Sequence, residues 1–305
     1  MRLNIKAHKG VAIMTAAHDE SKRVKAFRLE IAKEIPKFPN DKATLQALEE
    51  SSLASLLIHY NNWAIRYVSA RPRAISIEST ASSDSRWAKF NNKISAFLDK
   101  VRNGEDLTPH LSLEPHTRGY TPASAQKGAK TDRWADKDFL LNVMGYHHFH
   151  LGSSILLNGF AARTDDLIFA KISRDHFTVV AIFDHSVFEK QSNPTESMTK
   201  ERERLWTIFD EHSSRGIAPG TVYIPSMITT SGHSMHVVRL ADEYARVVRE
   251  IDPRLDDIEY VKKLYEPTGA SCPKKLKLKW HLNFLDIGLL DTTSNTFFVF
   301  RYGPN

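Results

Sequence analysis

The stretch from residue 167 to residue 183 constrains the fold of this chain most, because it carries the clearest strand pattern in the sequence. Apolar residues recur at every second position from Ile168 to Ile172, and β-branched residues dominate positions 178–182. A short polar run, 174–176, separates the two stretches. Two such runs on either side of a polar turn are typical of a β-hairpin. The pattern therefore predicts that an antiparallel sheet forms around these residues.

The first 102 residues show a helical pattern instead. Apolar residues follow one another at spacings of three and four, which is the spacing of one helix face. We expect one helix over residues 19–35, a second that begins after an N-cap at Asp41 and continues to Val68, and a third over residues 85–102. No run rich in β-branched residues interrupts them. The sequence thus predicts an all-helical N-terminal region.

Residues 103–137 differ in composition, since prolines and glycines occur throughout a polar segment. Long irregular segments are usually functional or disordered, so this stretch is expected to be a loop or linker. It places cationic side chains close to aromatic ones, a combination that suits phosphate contact and base stacking. Arg118, Tyr120 and Arg133 are therefore candidate substrate-binding residues. A solvated linker whose aromatic residues pack on the core explains the same pattern.

From residue 138 the pattern alternates between strands and helices. The predicted fold class is α+β: a helical region over 1–102 and a loop over 103–137 precede a catalytic domain over 138–305, built around a small antiparallel sheet. Besides the hairpin, this domain should contain helices over 199–212, 235–251 and 256–265, a short strand over 221–225, and two closing strands over 275–291 and 296–303.

The composition of the 305 residues limits the cellular location and the class of binding partner that we expect for this protein. A content of 41% hydrophobic and 26% charged residues is that of an ordinary globular protein in water, and no apolar run reaches the roughly 18 residues that a membrane span needs. The apolar stretch near the N-terminus is too short for a secretion signal, and the single cysteine, Cys272, cannot form an internal disulfide. The sequence therefore predicts a cytoplasmic protein with no membrane partner. Its net charge of +6 favours, without requiring, contact with a polyanion.

The sequence GYHHFHLG places three histidines within four positions. In an extended strand, His148 and His150 project from one face and His147 from the other. A His-x-His pair can bind zinc or iron if a third ligand is present, and Asp184 or His185 at the end of the hairpin could supply it. Satisfied polar packing is the other interpretation of this short motif, and for His147 it is the preferred one.

A second chemistry in the same residues needs no metal. RNA carries its own nucleophile, the 2′-hydroxyl group, so that cleavage requires a general base, a general acid and a cation on the phosphate. Histidine titrates near neutral pH, and arginine binds phosphate oxygens in pairs. Arg163 before the first hairpin strand, Lys171 within it and His185 after the second would join His148 and His150 in such a site. An ion pair of Arg163 with a neighbouring aspartate and a strand-end role for His185 are the structural alternatives.

The stretch RTDDLIFAKISRDHFTVVAIFDH resembles the central hairpin of the RelE/YoeB-type toxins, in which an arginine precedes the first strand and a catalytic histidine follows the second. The resemblance covers the residues from Gly145 to His185. It implies a small twisted antiparallel sheet that cleaves RNA without a metal, often mRNA at the ribosome. It also places Arg163 near the family's phosphate-contacting arginine and His185 near its general acid. Ser186 stands where these toxins often carry an aromatic residue, and this chain extends well beyond the match at both ends.

The leading hypothesis is a metal-independent endoribonuclease of toxin type that needs no cofactor. Its catalytic residues would be His148, His150, Arg163 and His185, with Lys171 on the phosphate. RNA and a neutralising antitoxin are the expected partners, and the helical region would recognise one of the two. Two alternatives stay open: a metal-dependent hydrolase or nuclease that uses the His-x-His site, and a non-catalytic module that binds nucleic acid or protein.

Overall fold

The computed structural model describes residues 20–125, 132–189, 193, 197–218, 220–222, 227–269 and 271–305, and over these residues the chain is an α+β protein, as the sequence predicts. Most of the strand predicted over 221–225, and the short apolar stretch near the N-terminus, lie outside the described residues. None of the helices formed by the described residues is both long and apolar enough to cross a bilayer. In chain order the elements are α1 (Lys22–Glu34), α2 (Lys42–Glu50), α3 (Leu53–Ala64), β1 (Ala74–Ile77), α4 (Ser79–Ser82), α5 (Ser85–Lys89), α6 (Asn91–Asn103), α7 (Phe139–Met144), β2 (Tyr146–His150), β3 (Asp166–Ile172), β4 (His176–Asp184), α8 (Lys200–Ser214), α9 (Met235–Ile251), α10 (Ile258–Tyr265), β5 (Leu278–Asn283), β6 (Asp286–Asp291) and β7 (Thr296–Arg301).

The N-terminal region is mostly helical, but the prediction that it is all-helical is wrong. Strand β1 follows α3 and pairs in parallel with β4, with Ile75 opposite Phe177. A four-residue strand is too short for an alternating pattern to stand out, and its partner lies far along the chain. The predicted second helix is also divided, because the Ser52 side chain accepts a hydrogen bond from the Ser55 N–H and starts α3 as a new helix.

Strands β1 to β4 form one sheet in the order β1-β4-β3-β2. The predicted hairpin is confirmed as β3 and β4, which pair antiparallel with one irregularity in their register. Because β1 is parallel to its neighbour, the sheet is mixed rather than purely antiparallel. Strand β2 lies at the edge and pairs antiparallel with β3, so that Tyr146 is opposite Lys171 and His150 is opposite Leu167.

Both faces of this sheet are covered by hydrophobic side chains. On one face Phe149 of β2 packs against Phe97 of α6, with ring centroids 5.1 Å apart. On the other face Tyr146 packs against Phe209 of α8 at 6.1 Å. Successive residues of a strand point to opposite faces, so β2 contributes to both cores. Its even-numbered residues therefore face α8.

A second, three-stranded sheet completes the fold. The region predicted as one strand over 275–291 forms β5 and β6, which pair with β7 in an antiparallel sheet. The chain reverses near Phe284, whose positive φ of 58° is uncommon for a residue other than glycine. Helices α1–α3, α9 and α10 pack on this sheet in one hydrophobic core that contains Trp280. The N-terminal helices and the C-terminal strands thus share a core, and the predicted boundaries at 102 and 138 do not separate them.

The segment predicted as a loop or linker packs against the rest of the protein over its described residues, 103–125 and 132–137. The indole N–H of Trp63 donates to the carbonyl of Pro115 at 2.8 Å. His110, which is buried, donates from Nδ1 to the carbonyl of His150 at 2.8 Å. These bonds attach the segment to α3 and to the end of β2. The segment therefore contacts the rest of the protein at these points, and its residues around 111–115 help to build the wall of a cavity.

Candidate functional site

A cavity of about 700 Å³ opens where the end of β2 meets α7, α8 and the segment around residues 111–115. Its walls come from separate parts of the chain: β2, the loop before β3, and the 3₁₀ turn that follows β4. A shared catalytic site requires this kind of convergence. The four residues predicted to be catalytic, His148, His150, Arg163 and His185, all line it.

Strand β2 divides the three adjacent histidines between the two faces of the sheet. Gly145, in the left-handed conformation with φ 72°, ends α7 and lets the chain enter the strand. His147 lies on the face opposite His148 and His150, and it is 6% exposed. Its Nε2–H donates to the carbonyl of Ile65 at 2.8 Å. Burial lowers the pKa of His147 to about 4, so the ring is neutral at physiological pH. These contacts support a structural role.

His150 and His185 lie side by side, with ring centroids 5.6 Å apart. His185 is exposed, and its Nδ1 donates to the carbonyl of Asp165 at 3.0 Å. A carbonyl oxygen only accepts, so Nδ1 carries the hydrogen, and Nε2 forms no hydrogen bond within the described residues. His150 is buried and bonds through Nδ1 to the backbone of Thr164 at 3.3 Å. Burial, followed by the charge of Arg163, lowers the pKa of His150 to about 4.

His148 is half-buried between two phenylalanine rings at the back of the cavity. Its ring centroid lies 5.0 Å from that of Phe188 and 5.8 Å from that of Phe169. Within the described residues its ring nitrogens form no hydrogen bond. Burial lowers the pKa of His148 below its usual value, Asp138 opposes that shift, and the charges of His185 and Arg163 add to it. The ring is therefore a neutral base at physiological pH.

Arg163 brings a positive charge that no carboxylate in the described part of the chain neutralises. Its guanidinium donates to the carbonyl of Leu111 at 2.9 Å. The expected alternative, an ion pair with Asp165 or Asp166, does not form; Asp166 instead lies 3.8 Å from Arg86. Arg163 is exposed, and a guanidinium held by a neutral carbonyl keeps its capacity to bind an anion.

The other cations in the lining already have partners. Lys137 donates to a carboxylate, whereas Arg66 and Arg202 donate to backbone carbonyls and, like Arg163, have no carboxylate partner in the described residues. The acidic side chains in the lining are Glu114 and Asp138. The partnered cations are Arg66 on the Arg118 carbonyl, Lys137 on the Asp136 carboxylate at 2.7 Å, and Arg202 on the Glu189 carbonyl at 2.9 Å.

Part of the cavity wall is aromatic, which the sequence does not predict. Phe139 and Phe188 expose 39% and 36% of their surface, and Trp206 is partly exposed beside them. Phe188 is backed by Phe169, whose ring lies nearly parallel at 6.0 Å. Aromatic rings held in this way offer flat faces for stacking. The only signal for Phe188 in the sequence is its position three residues after His185.

The remaining residues predicted to bind substrate do not line this cavity. Lys171 lies at the opposite end of the β2–β3 pair, beside Tyr146, so it does not share a phosphate with Arg163. Arg118 pairs with Glu114 at 2.9 Å. Tyr120 and Arg133 also pack on the protein itself: the Tyr120 ring lies 4.6 Å from that of His59, and the Arg133 guanidinium lies 4.1 Å above the Trp134 ring.

The His-x-His pair does not gather a ligand set for a metal in the described ranges. Asp184, one proposed third ligand, uses its carboxylate to cap the following 3₁₀ turn at the Ser186 N–H, 2.9 Å away. Among the described residues, no three histidine, cysteine, aspartate or glutamate side chains are arranged as a metal site.

Comparison with protein-family models, with curated proteins and with solved structures finds no match to this chain. The chemistry of the cavity is therefore the guide to function. That chemistry combines the imidazoles of His148, His150 and His185, the guanidinium of Arg163, which has no carboxylate partner among the described residues, and an aromatic wall.

Proposed function

We propose that this protein is a metal-independent endoribonuclease of toxin type. One observation carries the proposal: Arg163, with no carboxylate partner in the described residues, lines the same cavity as His148, His150 and His185. A phosphate at Arg163 would lie beside groups that can accept and donate protons. This combination is what cleavage of RNA by its own 2′-hydroxyl group requires.

The surroundings of each histidine indicate which one acts as the general base and which one as the general acid. His148 is neutral because it is buried, and its ring nitrogens are free within the described residues, so it accepts the proton of the 2′-hydroxyl group. The 2′-oxygen then forms a bond to phosphorus. The exposed His185, whose Nδ1–H is held by the Asp165 carbonyl, acts in its protonated form: it gives the proton on Nε2 to the departing 5′-oxygen as the P–O5′ bond breaks, and the ring becomes neutral. The products are a 2′,3′-cyclic phosphate and a 5′-hydroxyl end.

Arg163 and His150 act on the phosphate between these two groups. The guanidinium stabilises the negative charge that develops on the non-bridging oxygens. His150 is fixed by Thr164 and stays uncharged, so it does not compete with Arg163 for the phosphate and it holds His185 in place. We therefore assign His150 a positioning role in the site.

The aromatic wall supports single-stranded RNA as the substrate. Phe188 contacts His148, so a base stacked on its exposed face lies next to the reacting ribose. Bases can stack in this way only when they are unpaired. By its resemblance to the RelE/YoeB-type toxins, we further propose that the reaction takes place on mRNA in the cytoplasm, that it can occur at the ribosome, and that a neutralising antitoxin binds the helical region.

The test is cleavage of an end-labelled single-stranded RNA by the purified protein in excess EDTA. We expect cleavage by the wild-type protein, and a loss of about 100-fold or more in His185→Ala, because general acid catalysis typically contributes that much. His281→Ala, on β5 outside the cavity, is the matched control and should cleave normally. Activity that disappears with EDTA and returns with zinc or manganese would contradict the proposal. Binding without cleavage would support the non-catalytic alternative instead.

A further inference from the structure

A second cavity of about 420 Å³ lies at the other end of β2. It is formed by the C-terminal end of α7, the second half of α8 and the start of α9. Val143, Met144 and His147 belong to the walls of both cavities, so the two adjoin along the edge of the sheet. The polar side chains in its lining include those of Lys171, His212, His236 and Asn305.

The charge in this second cavity is positive. No aspartate or glutamate side chain is part of its described lining. Lys171 is exposed and forms no ion pair within the described residues, and the nearest acidic oxygen to His212 Nε2 that the described structure shows, on Glu78 outside this lining, is 3.8 Å away. Lys171 lies on the same face of β3 as Leu167 and Phe169, and that face is the one His148 and His150 share. An anion at Lys171 would therefore lie along the same surface as an anion at Arg163.

The separation of the two cavities fits a nucleic-acid strand. Tyr146, opposite Lys171, and His150 are four residues apart on β2, which corresponds to roughly 13 Å at about 3.3 Å per residue. Along α8, Arg202 of the first cavity and His212 of the second are ten residues apart, or roughly 15 Å at 1.5 Å per residue. An extended strand covers that distance in about two nucleotides, because each backbone repeat contains six covalent bonds.

We propose that the second cavity binds a flanking nucleotide of the substrate, with Lys171 on a phosphate about two nucleotides away from the one at Arg163. The strand would run along the edge of β2 past Val143 and Met144. This inference rests on the proposed function, since it takes the first cavity as the site of the scissile phosphate. It predicts that the protein recognises a single strand of at least four nucleotides.

The experiment compares the binding of 2′-O-methyl oligonucleotides of two and four nucleotides, which cannot be cleaved, by fluorescence anisotropy. The dinucleotide has one phosphodiester and can occupy only the first cavity, whereas the tetranucleotide has three and reaches the second. We expect tetranucleotide affinity to exceed dinucleotide affinity, and Lys171→Ala to weaken tetranucleotide binding about three- to tenfold. The slope of log affinity against log salt concentration should fall by about 0.7, the value for one contact with a single strand. Lys42→Ala, an exposed lysine on α2, is the matched control for the loss of one positive charge and should bind both lengths normally.

The outcomes separate this inference from the proposed function. Equal affinity for both lengths, or an equal loss in Lys171→Ala and Lys42→Ala, overturns the second subsite even if the protein cleaves RNA. Length-dependent binding that Lys171→Ala reduces supports the subsite even if no cleavage is detected, in which case only the catalytic proposal fails. Absence of binding to either oligonucleotide overturns the subsite directly. Circular dichroism of the Lys171→Ala protein confirms that it is folded.

Discussion

Replacing His147 with glutamine should reduce the pH dependence of stability while leaving the proposed chemistry intact. The buried His147 ring has a pKa of about 4, against 6.5 for an unperturbed histidine. Between pH 4 and pH 6.5, His147 is therefore protonated in the unfolded chain but stays neutral in the folded protein. The stabilising effect of keeping His147 neutral is fully present above pH 6.5 and is lost as the pH falls towards 4.

The size of the effect follows from this shift. A difference of 2.5 pKa units at about 1.36 kcal/mol per unit corresponds to about 3 kcal/mol. Glutamine has an N–H at a similar distance from the backbone and can still donate to the Ile65 carbonyl, but it does not titrate. Between pH 4 and pH 6.5 the free energy of unfolding of the wild type should therefore rise by about 3 kcal/mol because of His147. In His147→Gln this contribution to the rise should be absent.

The assay is urea denaturation followed by circular dichroism at several pH values, with RNA cleavage measured on the same samples at pH 7. His148→Gln is the comparison, because it changes the adjacent residue on the other face of the strand. It should abolish cleavage, whereas His147→Gln should retain it. An unchanged pH dependence in His147→Gln would refute the assignment of this titration to His147, and a loss of cleavage as large as that of His148→Gln would refute its structural role.

Three further predictions concern the first cavity. Arg163→Ala should lower kcat/KM for RNA about 100-fold or more, because it removes the charge that stabilises the transition state, while Arg163→Lys should recover part of that loss; equal activity in all three proteins would exclude a role on the phosphate. The acidic limb of the pH–rate profile should have its midpoint below pH 6.5, because burial lowers the pKa of His148; a midpoint above 6.5 would exclude His148 as the base. Phe188→Ala should weaken single-stranded RNA binding by about 1–3 kcal/mol, the typical contribution of one stacked base, and a duplex control should show no such loss.

The local sequence pattern correctly predicts the helices and strands whose apolar residues recur with a strong periodicity. The β3–β4 hairpin and α9 lie where the spacing of apolar residues predicts them. The short β1 was missed, because its stability comes from pairing with β4 rather than from its own four residues. The turn near Phe284 was missed because neither glycine nor proline marks it, although the chain there adopts a positive φ.

The sequence predicts the part of the candidate site that lies on the β3–β4 hairpin and on the neighbouring strand β2. Alternation along β2 correctly places His148 and His150 on one face, and strand pairing brings them to Arg163 and His185. Alternation also places Lys171 on that face, but it does not show that Lys171 lies at the far end, since the distance depends on the antiparallel register. The aromatic wall could not be predicted, because Phe139 and Trp206 reach the cavity through the packing of α7 and α8 against the sheet.

The central claim, that RNA supplies the nucleophile, is tested most directly by one substituted substrate. A labelled RNA is first cleaved by the protein in excess EDTA to locate the cleaved bond, and the same RNA is then made with a single 2′-deoxynucleotide on the 5′ side of that bond. The account predicts that the unmodified RNA gives a 2′,3′-cyclic phosphate end and that the substituted RNA is not cleaved at this position. Cleavage of the substituted RNA at an undiminished rate would contradict the account, because the nucleophile would then be water or a protein side chain.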